Sequence, residues 1–192
     1  PERPRRVGRH ARLSMLGAAA CLREAASPPS GERVGIYLGS ALGNTAQEHE
    51  VVEQAVAVAA GLAEGPASPG QFAASVSNSA TFYASRATGA LGPNLVVSQE
   101  MRSFEGALAA AELAIACGDI DFALVGGVDE QQVNRETVWR RLDLDPAGPL
   151  GEGSAWLLLG RDGPRGDLMW SDRFGPADGP SDALAARIRE AL

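Results

Sequence analysis

The feature that most limits what this chain can fold into is a repeated alternation. Short runs of β-branched and aliphatic residues closed by glycine or serine exchange with longer, small-residue runs at helical spacing. Val34-Gly35-Ile36-Tyr37-Leu38-Gly39 is one such short run, suited to a strand buried on both faces of a sheet. Leu95 to Ser98 and Phe122 to Val125 are two more, and between them Ser103 to Cys117 carries Phe104, Leu108, Ala111 and Ile115 on one helical stripe. Strands alternating with helices predict a mixed, mostly parallel sheet with helices on both faces, which is the α/β class. Ser154 to Leu159 and Leu168 to Trp170 read as a strand pair across a Gly/Pro-rich turn, adding an antiparallel edge.

The remaining helices are placed by periodicity and end signals. Residues 9 to 25 repeat Leu13, Leu16, Ala20 and Cys21 at helical spacing before Ser27-Pro28-Pro29-Ser30-Gly31 interrupts them. After Asn44, the Thr45 hydroxyl and Glu48 have the spacing of a capping box, and Val51, Val52, Ala55, Val58, Ala59 and Leu62 supply an apolar face. Pro66 to Gly70 is a loop. Gln71 to Thr88 is read as one helix, unusually rich in serine, threonine and asparagine, so it is expected to face something other than a plain hydrophobic core. Beyond Gly127 a polar region runs to Gly153, and Ser181 to Leu192 closes the chain as a helix.

Length and composition narrow the function. At 192 residues with 45% apolar and 21% charged residues, the chain reads as a single domain over residues 1–192, with no internal repeat. It begins at Pro1 without a methionine, so the N-terminal boundary is provisional. A net charge of −7 argues against nucleic-acid binding, which relies on basic side chains to neutralise phosphates. Every basic residue is arginine, and Arg3, Arg5, Arg6, Arg9 and Arg12 crowd one end. Cys21 and Cys117 lie far apart in helix-like segments, a pattern that fits neither a disulfide framework nor a metal site and points to a reducing cytoplasm. No signal peptide and no membrane-crossing apolar run are visible, so no membrane partner is expected. No cofactor is expected either.

Several stretches in order resemble the N-terminal half of the β-ketoacyl-acyl carrier protein synthases. Arg5-Arg6-Val7-Gly8-Arg9-His10-Ala11-Arg12-Leu13 is similar to the family's first arginine-rich helix, and Gly92-Pro93-Asn94 to its turn before the nucleophile strand. Gly126-Gly127-Val128-Asp129 and Leu150-Gly151-Glu152-Gly153-Ser154-Ala155 match two later glycine-bearing stretches. Ser103-Phe104-Glu105 and Ser75-Val76-Ser77-Asn78 resemble the short chain-length-factor-like subunits that accompany ketosynthases in type II polyketide and aryl-polyene systems. The resemblance implies half of a thiolase-like fold. It also implies an active ketosynthase as partner, with an acyl carrier protein involved indirectly.

Two departures from active synthases bear on chemistry. Counting back from Gly118 at the family's interval puts Met101 where the nucleophilic cysteine would be, and the C-terminal half that supplies two histidines is missing. A thioether has no ionisable proton and cannot form the acyl thioester that this condensation needs. Cys117 is expected to be a small buried thiol, roughly 24 Å along the helix from the junction. His10 and His49 read as surface or hydrogen-bonded histidines. Ser103 reads as a helix cap, and Glu100 and Glu105 as carboxylates favoured by a helix N-terminus.

From the resemblance, the polar helix would reach a partner's acyl tunnel, with Val76, Ser79, Ala80, Phe82 and Tyr83 the tunnel-gating candidates. Phe82 falls where active synthases often carry glycine; simple core packing of Phe82 and Tyr83 is the competing expectation. Leu95, Val96, Val97 and Ser98 match the strand that pairs with its counterpart across the family's dimer axis. The arginines from 3 to 12 either solvate a helix or meet an acidic carrier protein. The leading expectation is a non-catalytic chain-length factor. Its rivals are a diverged acyl-transferring or decarboxylating enzyme using Ser103 or Glu100, and a fragment of a longer synthase-like protein.

Overall fold

The computed structural model describes residues 7–65, 68–130, 140 and 152–161. In chain order they form α1 (Arg9–Glu24), β1 (Val34–Gly39), α2 (Thr45–Ala59), α3 (Pro69–Ser75), α4 (Ser79–Thr88), β2 (Asn94–Val97), α5 (Ser103–Cys117), β3 (Phe122–Asp129) and β4 (Gly153–Gly160). A turn of 3-10 helix at Glu100–Arg102 precedes α5. The strands make one four-stranded sheet in the order β2-β1-β3-β4. β1 pairs parallel with β2 and β3, and β3 pairs antiparallel with β4. This is the mixed, mostly parallel α/β sheet that the alternation predicts.

The period-two pleat sorts side chains to two faces. Val34 and Ile36 of β1 and Leu124 of β3 meet Ala18 of α1 and Ala84 of α4. Leu38 and Val128 continue that face against Val7, Ala11 and Ala80. On the opposite face Tyr37, Ala123 and Val125 pack on Ala107, Leu108 and Ala111 of α5. Leu108 and Ile120 are fully buried, each stabilising the fold by about 1.5–3 kcal/mol relative to an exposed side chain. The chain passes from β1 to β2 along the α4 face, reverses direction, and returns across the sheet to β3 along the α5 face. Two right-handed crossovers in opposite directions require that change of face.

Some boundaries move. The single helix expected over 71–88 is two, because Val76 turns extended (φ −70, ψ 141) between α3 and α4. Local bonds compete with the helix there: Ser75 Oγ donates to Phe72 O (2.8 Å) and Ser79 Oγ to Ala74 O (3.3 Å). Nor does α4 turn its hydroxyl side chains outward. Ser79, Thr81, Ser85 and Thr88 are buried, and each hydroxyl is satisfied by a nearby backbone carbonyl. Thr45 does not cap α2: Asn44 holds that position without a side-chain cap, and the Thr45 hydroxyl donates back to Leu42 O. β3 runs on to Asp129, since its glycine pair remains in register with Trp156 and Ala155 of β4. The strand expected at Leu168 to Trp170 and the helix at Ser181 to Leu192 lie outside the described residues.

The glycine pair has one task per face. A Cβ at Gly126 would lie 2.5 Å from the Trp156 ring, and one at Gly127 would lie 3.3 Å from the Phe104 ring. Each glycine therefore leaves room for an aromatic from a neighbouring element.

Candidate functional site

The C-terminal ends of β1, β2 and β3 lie side by side: Gly39 pairs with Val97 on one flank and Gly127 on the other. Ligands of open parallel sheets bind at this end, where successive connections leave in opposite directions. Three local structures meet there.

The first is the junction between β2 and α5. Gln99 leaves the strand, and Glu100 adopts a left-handed conformation (φ 54), the one non-glycine residue with positive φ among the described residues. That conformation costs about 1–2 kcal/mol for an ordinary side chain. Ser103 holds it: its hydroxyl donates to Glu100 O (2.6 Å) and accepts from Gln99 N (2.8 Å). Ser103 is 3% exposed and sits inside the helix start rather than capping it, the N-cap being Arg102. Its proton is committed to a carbonyl, which leaves it poorly suited to act as a nucleophile.

The second is the seat of α5. A Cβ on Gly39 would lie 2.5 Å from Phe104 N and Cα and from the Ser103 carbonyl carbon. The helix start thus rests directly on the β1 backbone, with the Phe104 ring over Gly127. Met101, the position that the resemblance assigns to the cysteine, lies in the 3-10 turn and is 52% exposed.

The third is a carboxylate clamp that sequence reasoning did not single out. Asp129, at the end of β3, accepts from Ser40 Oγ (2.8 Å), Ala41 N (3.2 Å) and Leu42 N (3.1 Å). Ser40 Oγ accepts in turn from Gly43 N (2.9 Å), and Ser40 N donates to Val97 O (3.1 Å). The carboxylate therefore fixes the loop after β1 to the end of β3, and the Ser40 backbone N–H ties it to the end of β2. The signal available in sequence was an aspartate two positions after a glycine pair.

Neither histidine belongs to this assembly. His10 is fully buried, its Nε2 3.2 Å from Val128 O on the α1 side of the sheet, and burial pushes its pKa below the ordinary value. Burial likewise raises the Glu130 carboxyl. His49 is exposed on α2 beside Glu53 (3.0 Å). Cys117 is exposed at the far end of α5, contrary to the buried thiol expected of it, because helical spacing puts it off the stripe of Ala107, Leu108 and Ala111 that packs on the sheet. Among the described residues no group of three or more metal-ligating side chains occurs.

The tunnel candidates separate into two sets. Ser79 and Ala80 are interior, and Tyr83 packs against the cluster around Leu38 and Ala80. Val76, at the break between α3 and α4, and Phe82 are 37% and 55% exposed. The rings of Phe82 and Tyr83 meet edge-on with centroids 5.3 Å apart. Core packing thus describes Tyr83 but not Phe82, because the helical turn points adjacent residues in different directions. β2 is an edge strand. Leu95 is 40% exposed, Val96 and Val97 face opposite helix layers, and Ser98 lies just beyond the strand. Among the described residues no helix is long and apolar enough to cross a membrane.

The model of the β-ketoacyl synthase N-terminal domain matches residues 1–139. No curated protein matches the chain. Among solved structures, the ishigamide ketosynthase/chain length factor superposes with a TM-score of 0.69 at 23% identity over 82% of this chain and 45% of that one. A ketosynthase in complex with its chain length factor from Xenorhabdus doucetiae gives 0.61 at 21% identity, covering 82% and 59%. A type II polyketide synthase acyl-carrier protein in complex with its ketosynthase gives 0.67 at 18%, covering 82% and 48%. The chain spans about half the length of these neighbours.

Proposed function

The chain belongs to the β-ketoacyl synthase family through its N-terminal domain, and from that premise we propose that it is a non-catalytic, chain-length-factor-like subunit. It pairs with an active ketosynthase and helps shape that partner's acyl tunnel during type II polyketide or fatty-acid-like elongation. The carrying observation is Met101: an exposed thioether on the turn where a thiolate would hold the growing chain. The edge strand β2, with Leu95, Val96, Val97 and Ser98, is the pairing surface, since an uncovered edge strand invites a partner. Val76 and Phe82 reach outward from α3 and α4 toward the partner's tunnel, and Ser79, Ala80 and Tyr83 hold them in place. The chain is read as one synthase-like domain acting in the cytoplasm, and it meets the acyl carrier protein only through the partner.

Co-expression with the ketosynthase encoded beside it tests this reading. The two should co-purify, Phe82→Gly should lengthen the product, and intact mass after incubation with acyl- or malonyl-carrier protein should show no adduct on this chain. A stable monomer without affinity for the synthase, or an acylated residue on this chain, sinks the proposal.

A further inference from the structure

A cleft of about 600 Å³ lies between the start of α1 and the α2–α3 pair, inside the range of about 300–1,000 Å³ typical of small-molecule sites. It is left open because α2 packs chiefly on α3 and buries none of its 15 residues. Val7, Val51 and Ala74 give the cleft an apolar stretch, and charged groups enter it from two helices, Arg9 and Arg12 of α1 and Glu50 of α2. Arg9 is spent on Glu152, so that pair adds no net charge. Arg12 and Glu50 are exposed on opposite walls, and neither forms an ion pair with the other or with any described residue. Opposite charges held apart across a cleft present a cation to one end of a guest and an anion to the other.

The carboxamides that line the same space are also uncommitted. Gln47 lies against Gly8, where a Cβ would stand 2.9 Å from its Cδ, yet its Oε1 has no hydrogen-bond partner. Packing alone holds that amide, so it can turn to meet a donor. Gln71 gives its Oε1 to Ser68 N (2.9 Å) in the capping box of α3, which leaves its Nε2 to donate.

The charges select the guest. A plain anion would satisfy Arg12 but face Glu50, and a plain cation would satisfy Glu50 but face Arg12. A dipolar molecule answers both. We propose that the cleft binds a zwitterion of the α-amino acid class, with its carboxylate on Arg12 and Gln71, its ammonium on Glu50 and Gln47, and an aliphatic side chain against Val7, Val51 and Ala74. The site uses none of the residues around Met101 or along β2.

The test is a titration of the isotope-labelled full chain with valine, leucine, isoleucine and methionine, followed by backbone amide shifts. At least one of these amino acids should saturably move the amides of Gly8, Arg12, Gln47, Glu50 and Gln71. The carboxylic acid and the amine that share its side chain, each lacking one of the two charges, should bind about tenfold more weakly or worse. Arg12→Gln and Glu50→Gln should each weaken the amino acid by about tenfold or more, with unchanged circular dichroism because both positions are exposed. Any of three results would overturn the proposal: none of the amino acids moves these amides at millimolar concentration, the acid or the amine binds as tightly as the amino acid, or both glutamine variants bind it like wild type.

Discussion

Gly39→Ala is the substitution for which the structure makes the sharpest demand. The added carbon would lie 2.5 Å from three backbone atoms at the start of α5. Carbon atoms prefer a separation of about 3.5–4.0 Å, so the shortfall is about 1 Å. Flexible side chains could yield, but these atoms belong to a helix anchored on Leu108 and Ala111. Overpacking of this kind costs about 1–3 kcal/mol, occasionally more. Alanine also restricts the unfolded chain, a gain of about 0.4–1 kcal/mol that offsets part of the cost. The control is Gly127→Ala on the same face, where the new carbon would meet the Phe104 ring at 3.3 Å and the ring can tilt away. Urea unfolding of the full chain should therefore show Gly39→Ala lowering the midpoint by about 1 M, for a slope of about 1–3 kcal/mol/M, and Gly127→Ala lowering it much less. A Gly39→Ala protein as stable as its Gly127→Ala counterpart would refute the claim that α5 sits directly on the β1 backbone.

Three further outcomes follow from the same geometry. Asp129→Asn keeps one acceptor but loses the charge, so the loop at Ser40 to Gly43 should loosen at a cost of about 1.5–3 kcal/mol; faster hydrogen exchange at Ala41 and Leu42 N–H would report it, and unchanged exchange would count against the clamp. Ser103→Ala strips Gln99 N of its acceptor and Glu100 O of one of two donors, the residue 103 N–H remaining, and should cost about 1–3 kcal/mol without altering product formation by the complex; a loss of turnover with unchanged stability would favour a nucleophilic serine. His10 in the folded chain has a pKa below its unfolded value, so between the two only the unfolded chain binds the proton. Its contribution to stability therefore falls as pH drops from about 6.5, and His10→Gln should flatten the urea midpoint between pH 7.5 and 5.5; parallel curves would dismiss the histidine as the cause.

Much of this fold is legible in local pattern. β1 is found where a glycine-bounded aliphatic run lies, and α1 and α5 match their stripes to within a residue. The misses have physical causes. Periodicity could not see the interruption at Val76, because it depends on hydroxyls bonding to their own backbone carbonyls. It could not foresee that no residue of α2 is buried among the described residues, since helical spacing encodes a face but not a neighbour.

The chemistry divides in the same way. That position 101 carries a thioether, that no lysine occurs and that Gly126 and Gly127 stand together are covalent facts, and with them the sequence alone set the reactive groups and the fold class. Where those groups lie relative to one another was decided only by tertiary structure. Ser103 became a turn staple, Asp129 a clamp from the end of β3 onto the loop after β1, and Phe82 a surface residue beside the partly buried Tyr83. The reason is that backbone propensity acts over a few neighbouring residues. By contrast, the bond from Ser40 to Asp129 spans 89 positions and exists only once β1 and β3 lie in register.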